Sequence, residues 1–335
     1  SITVELSNCS TVDAGVFGLT DPSLPTLALN INTNPTTCLG TDGSIVLNTT
    51  NLPDGSYTVN YEDGTATSQT VNMVVVGNVG TISGLSAGTY NDITVTNINC
   101  TSIANIDVVL TDPLPPVAIA NQNMPPVCDD NIDGVMIFDL TSNIGLLTGG
   151  ASGVTTTFYT GLNLDGTVDT TTEITNPLTY SNTAQVPVTV QTVQDIYVII
   201  QDDITTCTSE TSFAITVNTV IFNEADALYT CDDDNDTFGY FDLAVATTQI
   251  TGGASNIVVT FHETLAEAEA GVGVIPTNVL YQNVDTDGSG TGGVQELFLN
   301  ITDTTTGCGY TAETIILNVI ASPELPEGPL TYASC

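Results

Sequence analysis

Cys128-Asp-Asp-Asn-Ile-Asp-Gly-Val-Met-Ile-Phe-Asp-Leu140 returns without a gap as Cys231-Asp-Asp-Asp-Asn-Asp-Thr-Phe-Gly-Tyr-Phe-Asp-Leu243. The match continues beyond the acidic run. Thr148-Gly-Gly-Ala-Ser152 returns as Thr251-Gly-Gly-Ala-Ser255, and Asp202-Asp-Ile-Thr-Thr-Cys207 as Thr302-Asp-Thr-Thr-Thr-Gly-Cys308. Each copy therefore opens and closes on a cysteine, and a chain built by copying is read as an array of units.

Outward from these copies, apolar residues come in short alternating runs rich in Val, Ile, Thr and Tyr, broken by Gly, Asp, Asn and Pro. That pattern predicts many short strands and an all-β chain. Residues 27–117 carry seven such runs, near Leu27–Asn32, Ser44–Asn48, Ser56–Tyr61, Thr70–Val76, Gly80–Ser83, Tyr90–Asn97 and Ile106–Leu110. Seven strands in about ninety residues suit a two-sheet immunoglobulin-like sandwich. Asp42-Gly43, Pro53-Asp54-Gly55 and Asp63-Gly64 supply turns between them. Leu85-Ser-Ala-Gly-Thr-Tyr90 resembles the corner of fibronectin-like sandwiches, in which a tyrosine hydroxyl bonds back to the chain.

The two copies occupy residues 118–219 and 220–322, with Ile196–Ile200 and Leu297–Ile301 as late strands. Ile2 to Pro22 realigns with Ile93 to Pro113, so residues 1–26 read as the end of a preceding repeat or, alternatively, as a hairpin docked on the next domain. Residues 323–335 read as a linker and the start of a further repeat, since Leu330–Cys335 resembles Asp226–Cys231. Prolines at 113, 115, 116, 125 and 126, and again at 323, 326 and 329, favour short, semi-rigid joints and an extended rod.

The 335 residues include no Lys and no Arg, against 38 Asp and Glu and one His, for a formal charge of -38. Such a chain repels phosphates, which argues against nucleic-acid partners. Salt bridges are unavailable, so carboxylates must find backbone N–H groups, hydroxyls, water or a metal cation. With hydrophobic residues at 41%, the chain can still build cores. No apolar run is long enough for direct membrane insertion as a helix.

Eight cysteines allow 105 complete pairings. The repeat register places one cysteine early and one late in each unit, predicting Cys38–Cys100, Cys128–Cys207 and Cys231–Cys308, with Cys9 and Cys335 left over. Disulfides imply an oxidising, exported location. Zinc is the weaker alternative, because no CxxC pair exists and His262 is the only histidine.

Asp129, Asn131 and Asp133, followed by Gly134, have the alternate spacing of a calcium loop. Asp232, Asp234 and Asp236 repeat it, with Thr237 in place of the glycine. The Glu of a helix-loop-helix site is missing, but a β-domain calcium site could recruit Asp139 and Asp202 in one copy and Asp242 and Asp303 in the other. Asn283 to Gly288 is a third, weaker match. The competing reading is a solvated turn in which Asp side chains cap their own backbone.

Catalysis is not expected. His262 aligns with Tyr159 on a strand, which favours a strand residue over a general base. A carboxylate pair could serve a glycosidase, but no Trp and 6% aromatics leave little to line a sugar cleft.

Cys38-Leu-Gly-Thr-Asp-Gly-Ser-Ile45, Gly84-Leu-Ser-Ala-Gly-Thr-Tyr90, Cys100-Thr-Ser102 and Leu110-Thr-Asp-Pro113, followed by the two Cys-Asp-Asp modules, resemble repeats of the SprB-like giant surface adhesins of gliding Bacteroidota. That resemblance implies a non-catalytic segment of an outer-surface filament, exported by the type 9 secretion system and moved by the gliding machinery. Its partners would be neighbouring repeats of the same chain and the substratum. The alternatives are a calcium-dependent module for surface polysaccharide and a self-assembling extracellular filament subunit.

Overall fold

The structure is a computed structural model describing residues 23–234, 236–284 and 293–321. The expectations for residues 1–22, for Cys9 and Cys335, for 323–335 and for the acidic stretch 285–288 lie outside the described residues. By contacts the chain divides into two compact units. One is Ser1–Val117 with Ala151–Thr156 and Ile200–Ser209; the other is Ala118–Gly150, Thr157–Ile199 and Glu210–Cys335.

The first sheet contains β1 (Thr26–Thr33), β2 (Gly43–Thr50), β3 (Gly55–Glu62), β4 (Ser68–Val76), β5 (Val79–Leu85), β6 (Gly88–Asn97), β7 (Cys100–Thr101) and β8 (Val108–Leu110). Their order is β1-β2-β5-β4-β3-β6-β7, with β8 also on β6. Every expected run holds a strand, the last of them only over Val108–Leu110. Period-two alternation explains the packing: Ile45, Leu47 and Thr49 of β2 point inward while Ser44, Val46, Asn48 and Thr50 point out. Met73, Val75, Val59, Ile82, Ile93 and Val95 complete a core of fully buried apolar side chains, each worth about 1.5–3 kcal/mol of burial. The Tyr90 hydroxyl donates to Ser86 O at 2.9 Å, forming the expected corner. Tyr57 makes the same four-residue return to Pro53 O at 2.8 Å.

The first copied module contains β9 (Val127–Cys128), β10 (Ile137–Phe138), α1 (Ile144–Leu147), β11 (Val154–Tyr159), β12 (Tyr180–Ser181), β13 (Gln191–Asp202) and β14 (Thr208–Asn218). Its main sheet runs β11-β13-β14-β9, and β10 pairs with β12. Phe158 packs edge-on against Phe213 at 6.3 Å between ring centroids.

The second copy repeats the plan with β15 (Leu228–Asp232), β16 (Tyr240–Phe241), α2 (Leu243–Thr251), β17 (Ile257–His262), α3 (Leu265–Ala270), β18 (Tyr281–Gln282), β19 (Val294–Asp303), β20 (Cys308–Tyr310) and β21 (Thr314–Ala321). Its sheet runs β15-β21-β19-β17 with β20 on β19, and β16 pairs with β18. Leu297, Leu299 and Ile301 face the core with Phe261, Ile315 and Leu317. In both copies the opening strand pairs parallel to the closing one, β9 with β14 and β15 with β21. The fold is all-β, a tandem series of immunoglobulin-like sandwich sheets with short helices.

Candidate functional site: linking cysteines and acidic loops

Strand register decides which cysteines can meet. In the second copy Cys308 lies opposite Asp303 at one end of β19. At the other end Val294 lies opposite Asn318, which pairs with Tyr229, two residues before Cys231. Nine residues of strand separate the two ends, roughly 30 Å. A disulfide needs Cα atoms within about 7 Å. The first copy has the same arrangement, for Cys128 pairs with Asn218 at the far end of β14 from Cys207. In the first sheet, Cys38 lies in the loop whose Asn34 donates to Thr111 at 3.0 Å, beside the Gly88 end of β6. Cys100 pairs with Asn97 at the opposite end of β6.

The expected pairing within each unit is therefore corrected at all three places. The bonds formed are Cys38–Cys207, with Cα atoms 5.0 Å apart, and Cys128–Cys308, at 5.4 Å. Each joins the opening cysteine of one sequence unit to the closing cysteine of the next. The repeat register had marked early and late cysteines correctly, but a register is equally compatible with pairing inside a copy and pairing across copies.

Local structure prepares both bonds. The Cys38 loop is held by Asp42, which accepts from Thr36 N at 3.0 Å and from Thr36 Oγ1. Cys38 N donates to Thr205 O at 2.8 Å, docking the loop on the turn that carries Cys207. In that turn Asp202 accepts from Ile204 N and Thr205 N. Cys207 and Cys308 are buried, Cys100 is half-buried on β7, and the Cys231 thiol is exposed.

The acidic run beside each opening cysteine forms a closed turn. Asp129 is buried and accepts from Gly134 N at 2.6 Å, from Asn131 N and Ile132 N, and from Thr219 Oγ1 at 2.7 Å. Asn131 Nδ2 donates to Asp133 Oδ2 at 2.9 Å. In the copy, Asp232 accepts from Asp236 N and Thr237 N. Among the described residues one acidic group brings its ligand atoms within 4.8 Å of one another, Asp232 with Asp234 and Asp236. Asp139 and Asp242 are not drawn into these loops. They accept from Thr141 N and Ala244 N and cap the helical turns that follow. Asp303 likewise accepts from Thr305 N at 2.8 Å.

One asparagine clamps each acidic turn, with a Gln–Tyr pair beside it. Asn182 accepts from Met136 N at 2.6 Å and donates to Gly134 O at 2.9 Å. Asn283 accepts from Gly239 N at 2.7 Å. Beside them Gln194 donates to the Tyr180 hydroxyl at 2.6 Å, and Gln295 to that of Tyr281 at 2.9 Å. Burial pushes the Tyr281 hydroxyl up to about 12, against the opposing effect of the Gln295 bond. The signal was in the sequence: Tyr180-Ser-Asn182 returns as Tyr281-Gln-Asn283, and Gln194 as Gln295 at the same offset. His262 ends strand β17, fully buried, with its ring nitrogens bonded to Thr260 Oγ1 and Val272 O.

Residues 125–221 and 227–323 match the family model described as the Flavobacterium inter-domain disulphide bond domain, two matches that together cover more than half of the chain. The chain belongs to that family. Its two inter-domain disulphide bond domains are the two copied modules; each bridge joins successive sequence repeats while lying inside one compact unit, Cys38–Cys207 in the first and Cys128–Cys308 in the second. The chain is thus an extracellular-type Flavobacterium repeat protein. No curated protein matches it. Among solved structures it is similar to an I-band fragment of titin, at 13% identity over 90% of this chain and 99% of that one, TM-score 0.30. It is also similar to a tetra-tandem repeat from the extending region of a large adhesion protein, at 13% identity over 88% and 72%, TM-score 0.30. A third similar structure is Drosophila N-cadherin EC1-4, at 10% identity over 89% and 75%, TM-score 0.21.

Proposed function

We propose that the chain is a non-catalytic, load-bearing stalk segment of a large cell-surface adhesin, SprB-like and serving gliding attachment. The observation carrying this reading is the overlap of the two bridges. Cys38–Cys207 and Cys128–Cys308 share residues 128–207, so no unit between them can be drawn out without loading a covalent bond. Such lacing limits how far the segment can extend under tension. By the same pairing, the exposed thiol of Cys231 would receive the closing cysteine of a following unit.

Pulling single molecules from their ends tests the reading. Without bridges, the 270 residues from Cys38 to Cys308 release a contour of about 950 Å at ~3.5 Å per residue. With both bridges the shortest covalent route runs back from Cys207 to Cys128, and its 79 residues release about 280 Å. Oxidised protein should stop near the shorter value and reduced protein reach the longer one; equal extension in both states contradicts the stalk. For the gliding role, antibody against this segment should label intact cells and slow their movement.

A cation at the acidic loop is the second reading, favoured by the convergence of Asp232, Asp234 and Asp236. Three carboxylates form an all-oxygen donor set of the kind calcium takes. Calcium should raise the melting temperature of the chain but not of Asp234→Asn; an equal response in both removes calcium from this loop.

A further inference from the structure

Within the second compact unit lies a cleft of about 330 Å³, lined by Ile132, Ile221, Phe222, Glu224, Tyr310 and Glu313. The rings of Phe222 and Tyr310 are 5.6 Å apart between centroids and tilted by 33°. Glu313 Oε1 accepts from Ala225 N at 3.4 Å, which orients this carboxylate and leaves its other oxygen for a guest. Ile132 reaches the cleft from a left-handed backbone conformation, φ 64°, that a β-branched residue rarely adopts. The other copied module is built differently here. Tyr310 and Glu313 follow Cys308 by the same steps as Ser209 and Ser212 follow Cys207. Asn223 N donates to Ile250 O as Ile119 N donates to Leu147 O, and Leu147 and Ile250 each precede the repeated Thr-Gly-Gly-Ala-Ser. Phe222 and Glu224 therefore stand where the first copy has Ala118 and Ala120. Where one copy has two alanines and two serines, the other has two aromatic rings and two carboxylates.

We propose that this cleft binds an organic cation, an ammonium or guanidinium head carried on an apolar arm. Ring faces bear partial negative charge and attract a cation held within about 6 Å of their centroids. The two carboxylates take its N–H donors in charge-assisted hydrogen bonds. Rings and isoleucine side chains favour a cation with a hydrocarbon body over a hydrated metal ion, which is held by oxygen ligands alone. The guest must come from outside, because the chain has no Lys or Arg, and a formal charge of -38 turns anions away. The cleft is of a size that small ligands use. The inference does not rest on the stalk reading.

An NMR titration of the oxidised full chain with n-butylammonium tests it, in about 0.15 M sodium chloride so that unspecific attraction is screened beyond ~8 Å. Amide signals of residues 221–225 and 309–313 should shift saturably with butylammonium and stay in place with n-butanol. Phe222→Ala with Tyr310→Ser, which approximates the first copy, should weaken binding about tenfold or more. Glu224→Gln with Glu313→Gln, close to isosteric, should do the same. Glu269→Gln with Glu296→Gln removes two charges at exposed positions and should leave the affinity within about twofold. Far-UV circular dichroism checks that each variant is folded. A second titration uses lysine blocked at both its amino and carboxyl groups. Tighter binding of blocked lysine assigns the cation to a partner protein's side chain, and tighter binding of butylammonium to a free amine; both uphold the site. Equal shifts with n-butanol, shifts confined to the acidic turns, or binding that survives both cleft variants overturns the proposal.

Discussion

At the scale of single residues, aspartate does locally what ion pairs do in other proteins. Asp63 accepts from Thr65 N, Thr65 Oγ1, Thr67 N and Gln69 Nε2, and the Thr65 hydroxyl foremost brings its carboxyl down to about 2. Asp165 and Asp169 make the same Asp-x-Thr turns and are lowered chiefly by the hydroxyls of Thr167 and Thr171. A carboxyl depressed on folding adds stability that is whole above the unfolded value of about 3.9 and is lost as pH falls through the folded one. Melting curves between pH 5 and pH 2 should show a smaller loss in Asp63→Asn than in the parent; parallel losses would mean the turn contributes nothing to acid sensitivity. The clamp makes a second prediction. Asn283 is buried and takes the Gly239 N–H, so Asn283→Ala strands that donor and should cost about 1–3 kcal/mol in denaturant unfolding. An unchanged midpoint would deny the clamp its role.

At the scale of elements, strands were legible in the sequence because alternation is a local property. Runs such as Ile196–Ile200 needed no partner to be recognised, and β13 and β19 contain both expected segments. The helices were not expected, although their signals are in the sequence, that of α2 inside a motif read for calcium. Asp242 precedes Leu243, Ala246 and Ile250, which share the buried face of α2, and Gly252 closes the helix at φ 57°. Thr264 caps the start of α3, accepting from Glu267 N and donating to Glu267 Oε2. The Phe-Asp-Leu triplet thus reads as two core residues around a cap. Asp242→Ala should cost about 1 kcal/mol of stability, measured by thermal unfolding in calcium-free buffer. A loss that appears only when calcium is present would return Asp242 to the metal.

At the scale of the whole molecule, the sequence left the decisive connection open. Copying revealed an early and a late cysteine in every unit, but partnership depends on where strand ends lie, which emerges only once β19 and β21, or β14 and β9, are in register. The bridges formed close loops of 169 and 180 residues, for which the chain-entropy estimate is about 5 kcal/mol each, less than additive because the loops overlap. The most direct test is disulfide mapping of unreduced protein, cut at acidic residues because the chain offers no Lys or Arg to trypsin. Linked peptides should join Cys38 to Cys207 and Cys128 to Cys308. Recovery of Cys38–Cys100, Cys128–Cys207 or Cys231–Cys308 would contradict the cross-unit lacing.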